Sequence, residues 1–288
     1  METDKPRDKG DSKLAGKSYL SPAHSMDLEL RFFTDITNAF PNIRGFGRIA
    51  DIISKLYTRK ERGAVISNYN QLKFYVEPSE CVDSKVLFYP QLYDISEINY
   101  LKDVLSEGDT FIDVGSNIGF YALQASKFVG NSGRVIAIEA DPYNYHKLLK
   151  NISLNSIDNI VAVNCGVSDK NEQLKLGLNV DGNRGGNSFM RESNEYELVE
   201  CYPLLKILKD LDVSKITAMK LDIEGFEYRV LREFFTTADE SQYPPHILFE
   251  DWVEEQKSAV QTPDLLRKYG YAITHIKDEN FVAHLSQK

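Results

Sequence analysis

The chain has 288 residues, 42% hydrophobic and 27% charged, enough for one large domain or one domain with an extension. Its formal charge of −9 disfavours a nucleic-acid partner, because phosphate contacts need a basic face. No apolar run approaches the ~18–20 residues of a spanning helix and no apolar segment of a signal peptide stands near the start, so the expectation is a cytoplasmic protein without a membrane partner.

Residues 1 to about 25 are polar and rich in Lys, Asp, Ser and Gly, a composition expected to remain a disordered tail. The run Gly10-Asp-Ser-Lys-Leu-Ala-Gly16-Lys17-Ser18 looks like a phosphate-binding loop, but it has one residue too many between its glycines and no strand before it. From 26 to 65 the pattern is helical. Leu28, Leu30, Phe32, Phe33, Ile36 and Phe40 make one apolar stretch, and Ile49, Ile52, Ile53 and Leu56 follow Gly47; core packing is the expected role of each. Leu72, Phe74 and Val76 alternate as a strand, and Val86-Leu-Phe-Tyr89 reads as a second one. An amphipathic helix with Ile98, Leu101, Val104 and Leu105 then runs to Gly108, with Ser96 as its N-cap.

From 109 onward strand and helix alternate, the pattern of a parallel, doubly wound sheet. Phe111, Ile112 and Val114 end at a glycine turn, and a helix follows over 121–129. The second strand, 134–139, ends in Glu139-Ala140-Asp141-Pro142, where Asp141 can cap the next helix and Pro142 suits its first position. That helix is expected to bury Tyr145, Leu148, Leu149 and Ile152. A third strand, 159–165, runs into Gly166-Val167-Ser168-Asp169. A fourth, 216–221, delivers Asp222-Ile223-Glu224-Gly225 before a helix over 226–235, and a fifth, 246–249, delivers Glu250-Asp251. Strands at 271–276 and 281–285 read as a closing hairpin. Cys81, Cys165 and Cys201 are scattered and read as reduced core residues. Asn151-Ile-Ser153 matches a glycosylation acceptor but falls inside a predicted helix.

The turn after the first strand of the sheet is Asp113-Val-Gly115-Ser-Asn-Ile-Gly119. Gly115 permits a sharp turn and close backbone approach, and Gly119 permits close helix packing. The middle glycine that a dinucleotide pyrophosphate needs is missing, so a phosphate-free ligand such as S-adenosylmethionine suits the turn better. Asp113, Glu139, Asp222 and Glu250 each end a predicted strand, which sets four acids along one edge of a parallel sheet. Glu139, about 26 residues after Asp113, stands where a ribose-binding carboxylate belongs. Acidic walls also suit a cationic sulfonium.

The chain from about 85 to 250 resembles the FkbM-type S-adenosylmethionine-dependent methyltransferases. The resemblance is carried by Phe111-Ile-Asp-Val-Gly-Ser-Asn-Ile-Gly119, Val135-Ile-Ala-Ile-Glu-Ala-Asp-Pro142, Cys165-Gly-Val-Ser-Asp169 and Met219-Lys-Leu-Asp-Ile-Glu-Gly-Phe-Glu227. It implies a Rossmann-like, seven-stranded α/β sheet, mostly parallel with a C-terminal antiparallel hairpin, preceded by an N-terminal helical and strand extension. The implied organisation is a tail over 1–25, an extension over 26–108 and a methyltransferase domain over 109–288. The implied cofactor wall is Asp113, Gly115, Ser116, Asn117, Gly119 and Phe120, with Glu139, Ala140, Asp141, Gly166, Val167 and Asp222 completing it. The implied chemistry is O-methylation of a hydroxyl on a sugar, polyketide or similar small molecule. Where many relatives carry a Thr-Leu-Asp-Asp-like run before the fourth strand, this chain has Tyr202-Pro-Leu-Leu-Lys206.

Methyl transfer to a hydroxyl needs in-line alignment and removal of a proton. Asp222, Glu224 and Glu250 are the candidate bases; the same three are the candidate ligands if Mg²⁺ takes part. His246 and His275 are expected deeper in strands. The polar stretch 177–189 is a candidate lid, with Arg184, Asn187 and Ser188 offering hydrogen bonds to the acceptor. Two other readings stand beside the methyltransferase: a nicotinamide-dependent oxidoreductase on a Rossmann-like fold, and a binding protein that has lost catalysis. The N-terminal helices are candidates for a lid or a homodimer contact.

Overall fold

The computed structural model describes residues 20–41, 46–58, 63–179, 184–251, 262–277 and 279–286. Most of the expected tail, the loop-like run 10–18 and residues 180–183 of the candidate lid lie outside the described residues.

Helices α1 (Leu28–Asn38) and α2 (Phe46–Thr58) open the described chain. Asp27 caps α1, its carboxylate accepting the Leu30 amide at 2.7 Å. The expectation that every apolar residue here packs inward fails. Leu28 is 85% exposed and Phe32 60%, and Ile36, Ile49 and Ile52 are also exposed, because α1 turns its Leu30–Thr34–Thr37 stripe to the protein instead. Strands β1 (Val65–Tyr69) and β2 (Leu72–Val76) form an antiparallel hairpin. The run read as a second strand is the end of helix α3 (Cys81–Phe88). Asp83, Ser84, Val86, Leu87 and Phe88 are all buried, so the helix shows no polar face and its apolar run cannot be told from a strand by periodicity. Helix α4 (Ile95–Val104) begins before Ser96; its N-cap is Asp94, in the left-handed conformation at φ 47°.

The central sheet uses β3 (Thr110–Val114), β4 (Arg134–Glu139), β5 (Ile160–Asn164), β9 (Ala218–Leu221), β10 (His246–Glu250), β11 (Tyr271–Lys277) and β12 (Asn280–Leu285). Its order is β11-β12-β10-β9-β3-β4-β5, parallel except for the pairings of β12 with β10 and β11. Between β5 and β9 lie β6 (Gly166–Ser168), β7 (Glu172–Gly177) and β8 (Tyr196–Pro203), which make a separate three-stranded sheet. The helices of the parallel region are α5 (Phe120–Phe128), α6 (Pro142–Leu154), α7 (Leu204–Asp210), α8 (Glu227–Thr237) and α9 (Thr262–Lys268).

Helices cover both faces, so β3, β4 and β9 are buried on both sides and read as mainly hydrophobic runs, interrupted by Asp113 in β3 and Lys220 in β9. Successive residues feed opposite cores: Phe111, Val135 and Ala218 join one, Ile112, Ile136 and Met219 the other. The first of these cores also holds Leu30, Phe74, Phe88 and Leu101, so the N-terminal extension and the α5–α6 face of the sheet share one interior. Asp141 caps α6 and Pro142 begins it, as the sequence predicts. Leu149 is exposed, while Lys147, Leu148 and Asn151 are buried. Asn151 donates to the Ile118 carbonyl at 2.8 Å and accepts the Tyr75 amide, so the glycosylation-like triplet is structural.

Candidate active site

The chain leaves β3 for β4 and β5 on one side and returns to β9 and β10 on the other. The crevice between β3 and β9 is therefore the switch point of the sheet, where such folds bind ligands. A cavity of about 360 Å³ opens there. Gly115, at φ 83°, forms its floor; a Cβ would stand 1.9 Å from the Asp222 carbonyl oxygen, so only glycine lets the two strand ends approach this closely.

On the β4 side, Glu139 ends its strand and is 7% exposed. One carboxylate oxygen accepts the Asn117 amide at 2.7 Å and the other the Asp141 amide at 2.8 Å. Burial, then the neighbouring Asp141, pushes its pKa up to about 8. Ser116, Asn117, Phe120, Ala140 and Val167 line the same part of the cavity. Asp113, Gly119, Asp141 and Gly166 stand behind that lining. Asp113 is 1% exposed, and among the described residues neither of its carboxylate oxygens has a hydrogen bond of good geometry. Burial raises it to about 6 against the pull of Lys220, its partner in the adjacent strand. The acid at the end of β3 is thus a buried charge beneath the floor, not a rim group.

On the β9–β10 side, Asp222, Glu224 and Glu250 all face the cavity. The Lys220 ammonium donates to Asp222 at 2.8 Å and lies 4.5 Å from the centre of the Tyr121 ring. Burial opposes its charge, yet Asp222, Asp113 and Glu250 together hold it above the ordinary lysine value. Glu224 sits at φ 52°, a left-handed conformation costly for a residue with a side chain. Burial, then Asp222, raises it to about 7. Glu250 is pushed well up, chiefly by the negative Asp222 and then by burial. The start of α8 is served by Glu227, whose carboxylate accepts the Ile223 and Gly225 amides at 2.8 and 2.9 Å, leaving Glu224 free of that task. His246 is remote from this group, its ring bonded to the Tyr100 hydroxyl at 2.7 Å.

Asp222 is bound by an ammonium, and among the described residues no group of three His, Cys, Asp or Glu is arranged to hold a metal, so Asp222, Glu224 and Glu250 do not fit Mg²⁺. The candidate lid residues spend their polar groups within the protein: Arg184 and Asn187 on Asp141, Ser188 on the Glu224 carbonyl. Residues that sequence reasoning passed over are Lys220, which stands inside the quoted Lys-x-Asp-x-Glu run, and Tyr93, Asp94 and Tyr121. The Tyr121 hydroxyl donates to Asp94 at 2.9 Å, so α4 and α5 close the cavity opposite Asp222. A lysine among three acids was the signal available for the first; nothing local marks the others.

The methyltransferase FkbM domain matches residues 113–273, and the protein-L-isoaspartate(D-aspartate) O-methyltransferase model matches 50–172. A curated relative, Methyltransferase 1 of Beauveria bassiana (strain ARSEF 2860), is 25% identical over 173 residues, covering 51% of this chain and 64% of its own. The chain thus spans under two thirds of that relative. Among solved structures, M. jannaschii TYW2 in complex with AdoMet has a TM-score of 0.42 at 13% identity, over 76% of this chain and 83% of its own. Aeropyrum pernix fibrillarin with natively bound S-adenosyl-L-methionine has a TM-score of 0.43 at 15% identity, over 79% of this chain and 84% of its own. The family match argues against the nicotinamide-dependent alternative: this chain belongs to the FkbM methyltransferase family.

Proposed function

We propose that the protein is an O-methyltransferase acting on a hydroxyl of a small molecule such as a sugar or polyketide. The observation that supports this most is one cavity with two unlike walls: a ribose-type carboxylate held by backbone amides on one side, and on the other Glu224 and Glu250, whose carboxylates have no hydrogen bond or ion pair among the described residues. When bound, S-adenosylmethionine supplies a methyl group on a positively charged sulfur, already activated for transfer. Glu139 is placed to accept hydrogen bonds from ribose hydroxyls, and the turn from Gly115 to Asn117 shapes the floor beside it. Tyr93 and Tyr121 wall the acceptor side and exclude water.

Glu224 is the group we assign to take the acceptor proton. Its pKa near 7 suits a base at neutral pH, whereas Asp222 is committed to Lys220 and Glu250 is held protonated by its acidic neighbours. The acceptor side carries Asp94, Glu224 and Glu250 with Asp222, against Lys85 and Lys220. That balance favours a neutral or cationic acceptor over a polyanion such as RNA. The exposed apolar residues of α1 and α2 support the homodimer reading, which light scattering of the purified protein tests.

The experiment is calorimetric titration with S-adenosylhomocysteine, followed by a methyl-transfer screen of hydroxylated acceptors. Glu224→Gln should retain cofactor-product binding and lose on the order of 10²–10⁴-fold in kcat. Transfer to nitrogen or carbon acceptors, or full activity in Glu224→Gln, would overturn the proposal.

A further inference from the structure

The residues 184–189 cross the cavity wall between its two halves, and their anchors are unusual. Arg184 lays its guanidinium 4.4 Å from the centre of the Tyr143 ring and reaches Asp141 at 3.3 Å. Asn187 donates to the same Asp141 oxygen at 2.9 Å. Asp141 in turn gives its backbone amide to Glu139 and uses its other oxygen to cap α6 at the Tyr143 amide. Ser188 donates its hydroxyl to the Glu224 carbonyl at 2.8 Å, so the strap touches the acceptor side as well.

The far end of this strap is held from the N-terminal extension. Glu80 occupies the N-cap position of α3, yet its side chain makes no capping bond there. Its carboxylate accepts the Arg184 amide at 2.9 Å, across 104 residues of sequence. Three residues earlier Glu77 accepts the hydroxyl of Tyr143, the ring on which Arg184 rests, at 2.6 Å. Two acids of one short turn therefore hold both members of the Arg184–Tyr143 stack. Glutamate is not among the residues favoured at an N-cap, so capping α3 does not account for Glu80, whereas its bond to the distant Arg184 amide does.

We infer that Glu80 is a positioning residue for the cofactor site: by fixing Arg184 it holds the strap against Asp141, and Asp141 holds the ribose-facing carboxylate of Glu139. The N-terminal extension is then part of the cofactor-binding apparatus, although no cofactor-facing motif lies within it. The inference rests on the reading of Glu139 as the ribose ligand.

The test is calorimetry of the full chain with S-adenosylhomocysteine, and with adenosine as a second probe. Glu80→Ala should weaken both ligands about tenfold, the loss expected for one charge-assisted hydrogen bond that orders the wall. Glu80→Gln keeps a carbonyl acceptor for the Arg184 amide and should bind within about threefold of the wild type. Rescue by Gln at an unchanged unfolding midpoint separates positioning from a general structural role. Wild-type affinity in Glu80→Ala, or equal losses in the Ala and Gln variants, would overturn the inference. Should Glu80→Ala fail to fold, Arg184→Ala, at a partly exposed position, removes the guanidinium that joins the strap to Asp141, and unchanged affinity there would also overturn the inference. Failure of the wild type to bind either probe would instead overturn the cofactor reading, so the two failures are distinguishable.

Discussion

Gly115→Ala should be among the most damaging single-methyl changes in this protein. Two costs combine at that position. The backbone is at φ 83°, where an L side chain costs about 1–2 kcal/mol, and the new Cβ would stand 1.9 Å from the Asp222 carbonyl oxygen and 2.9 Å from its carbon. The obstacle is backbone at the end of β9, paired in register with β3, so it cannot swing aside as a side chain would. Overpacking of this kind costs about 1–3 kcal/mol, giving about 2–5 kcal/mol in all, a large share of the ~5–15 kcal/mol that holds a domain folded. Gly119→Ala is the control. It shares the positive φ, at 88°, but its Cβ would meet the terminal methyls of Leu148 and Leu123, which can rotate away. Denaturant unfolding of both variants, with S-adenosylhomocysteine titration of each folded product, checks the ordering. A Gly115→Ala protein within about 1 kcal/mol of wild type that binds normally would refute the argument.

Glu139→Ala removes the acceptor proposed for the two ribose hydroxyls and should weaken S-adenosylhomocysteine about tenfold, at about 0.5–1.5 kcal/mol per bond, as calorimetry would report. Glu139, Glu224 and Glu250 are all raised above their ordinary values, so the folded apo protein binds protons more tightly than the unfolded chain. Their contribution to stability is therefore complete at acid pH and declines as pH rises from about 4.5 through 7 and 8 to about 9; Glu250→Gln should flatten the upper part of that decline in melting curves taken from pH 5 to 10. Lys147, buried against Asp83 and 3.4 Å from the partly exposed Glu77, should cost about 3–5 kcal/mol when changed to Met, because Asp83 is then left buried without its cation. Adding Asp83→Leu to Lys147→Met should recover part of that loss in denaturant titration; strict additivity would contradict the pairing. Methyl transfer should be indifferent to EDTA, since Lys220 already neutralises Asp222; activity lost to the chelator and restored by Mg²⁺ would contradict this.

The sheet was legible because its strands sit between helices on both faces: buried on both sides, they appear as apolar runs closed by an acid or a glycine. Asp141-Pro142 was legible for a local reason, since capping depends on neighbours in the chain. Helix α3 was not, because burial on every face erased its period. Nor was the stripe on α1, where Thr34 and Thr37 go inward by returning their hydroxyls to the helix's own carbonyls while Leu28 and Phe32 stay outside. At the site, Glu139, Asp222, Glu224 and Glu250 could be ranked by position at strand ends. The burial of Asp113, the Lys220–Asp222 pair and the inward use of Arg184, Asn187 and Ser188 could not, because each depends on contacts between residues distant in sequence or on register.

Helix α6 treats the hairpin before it as if it were another strand. Asn151 accepts the Tyr75 amide, and Asn155 both accepts the Lys73 amide at 2.8 Å and donates to the Lys73 carbonyl at 2.7 Å. Two side-chain amides thus satisfy alternate groups along the open edge of β2. The edge is closed to other strands, which removes a route to aggregation. It also makes the hairpin and α6 a matched pair: a chimera that places the first hundred residues of this chain on a relative's sheet must carry asparagines at the positions of 151 and 155 with them, or leave the transplanted edge unpaired.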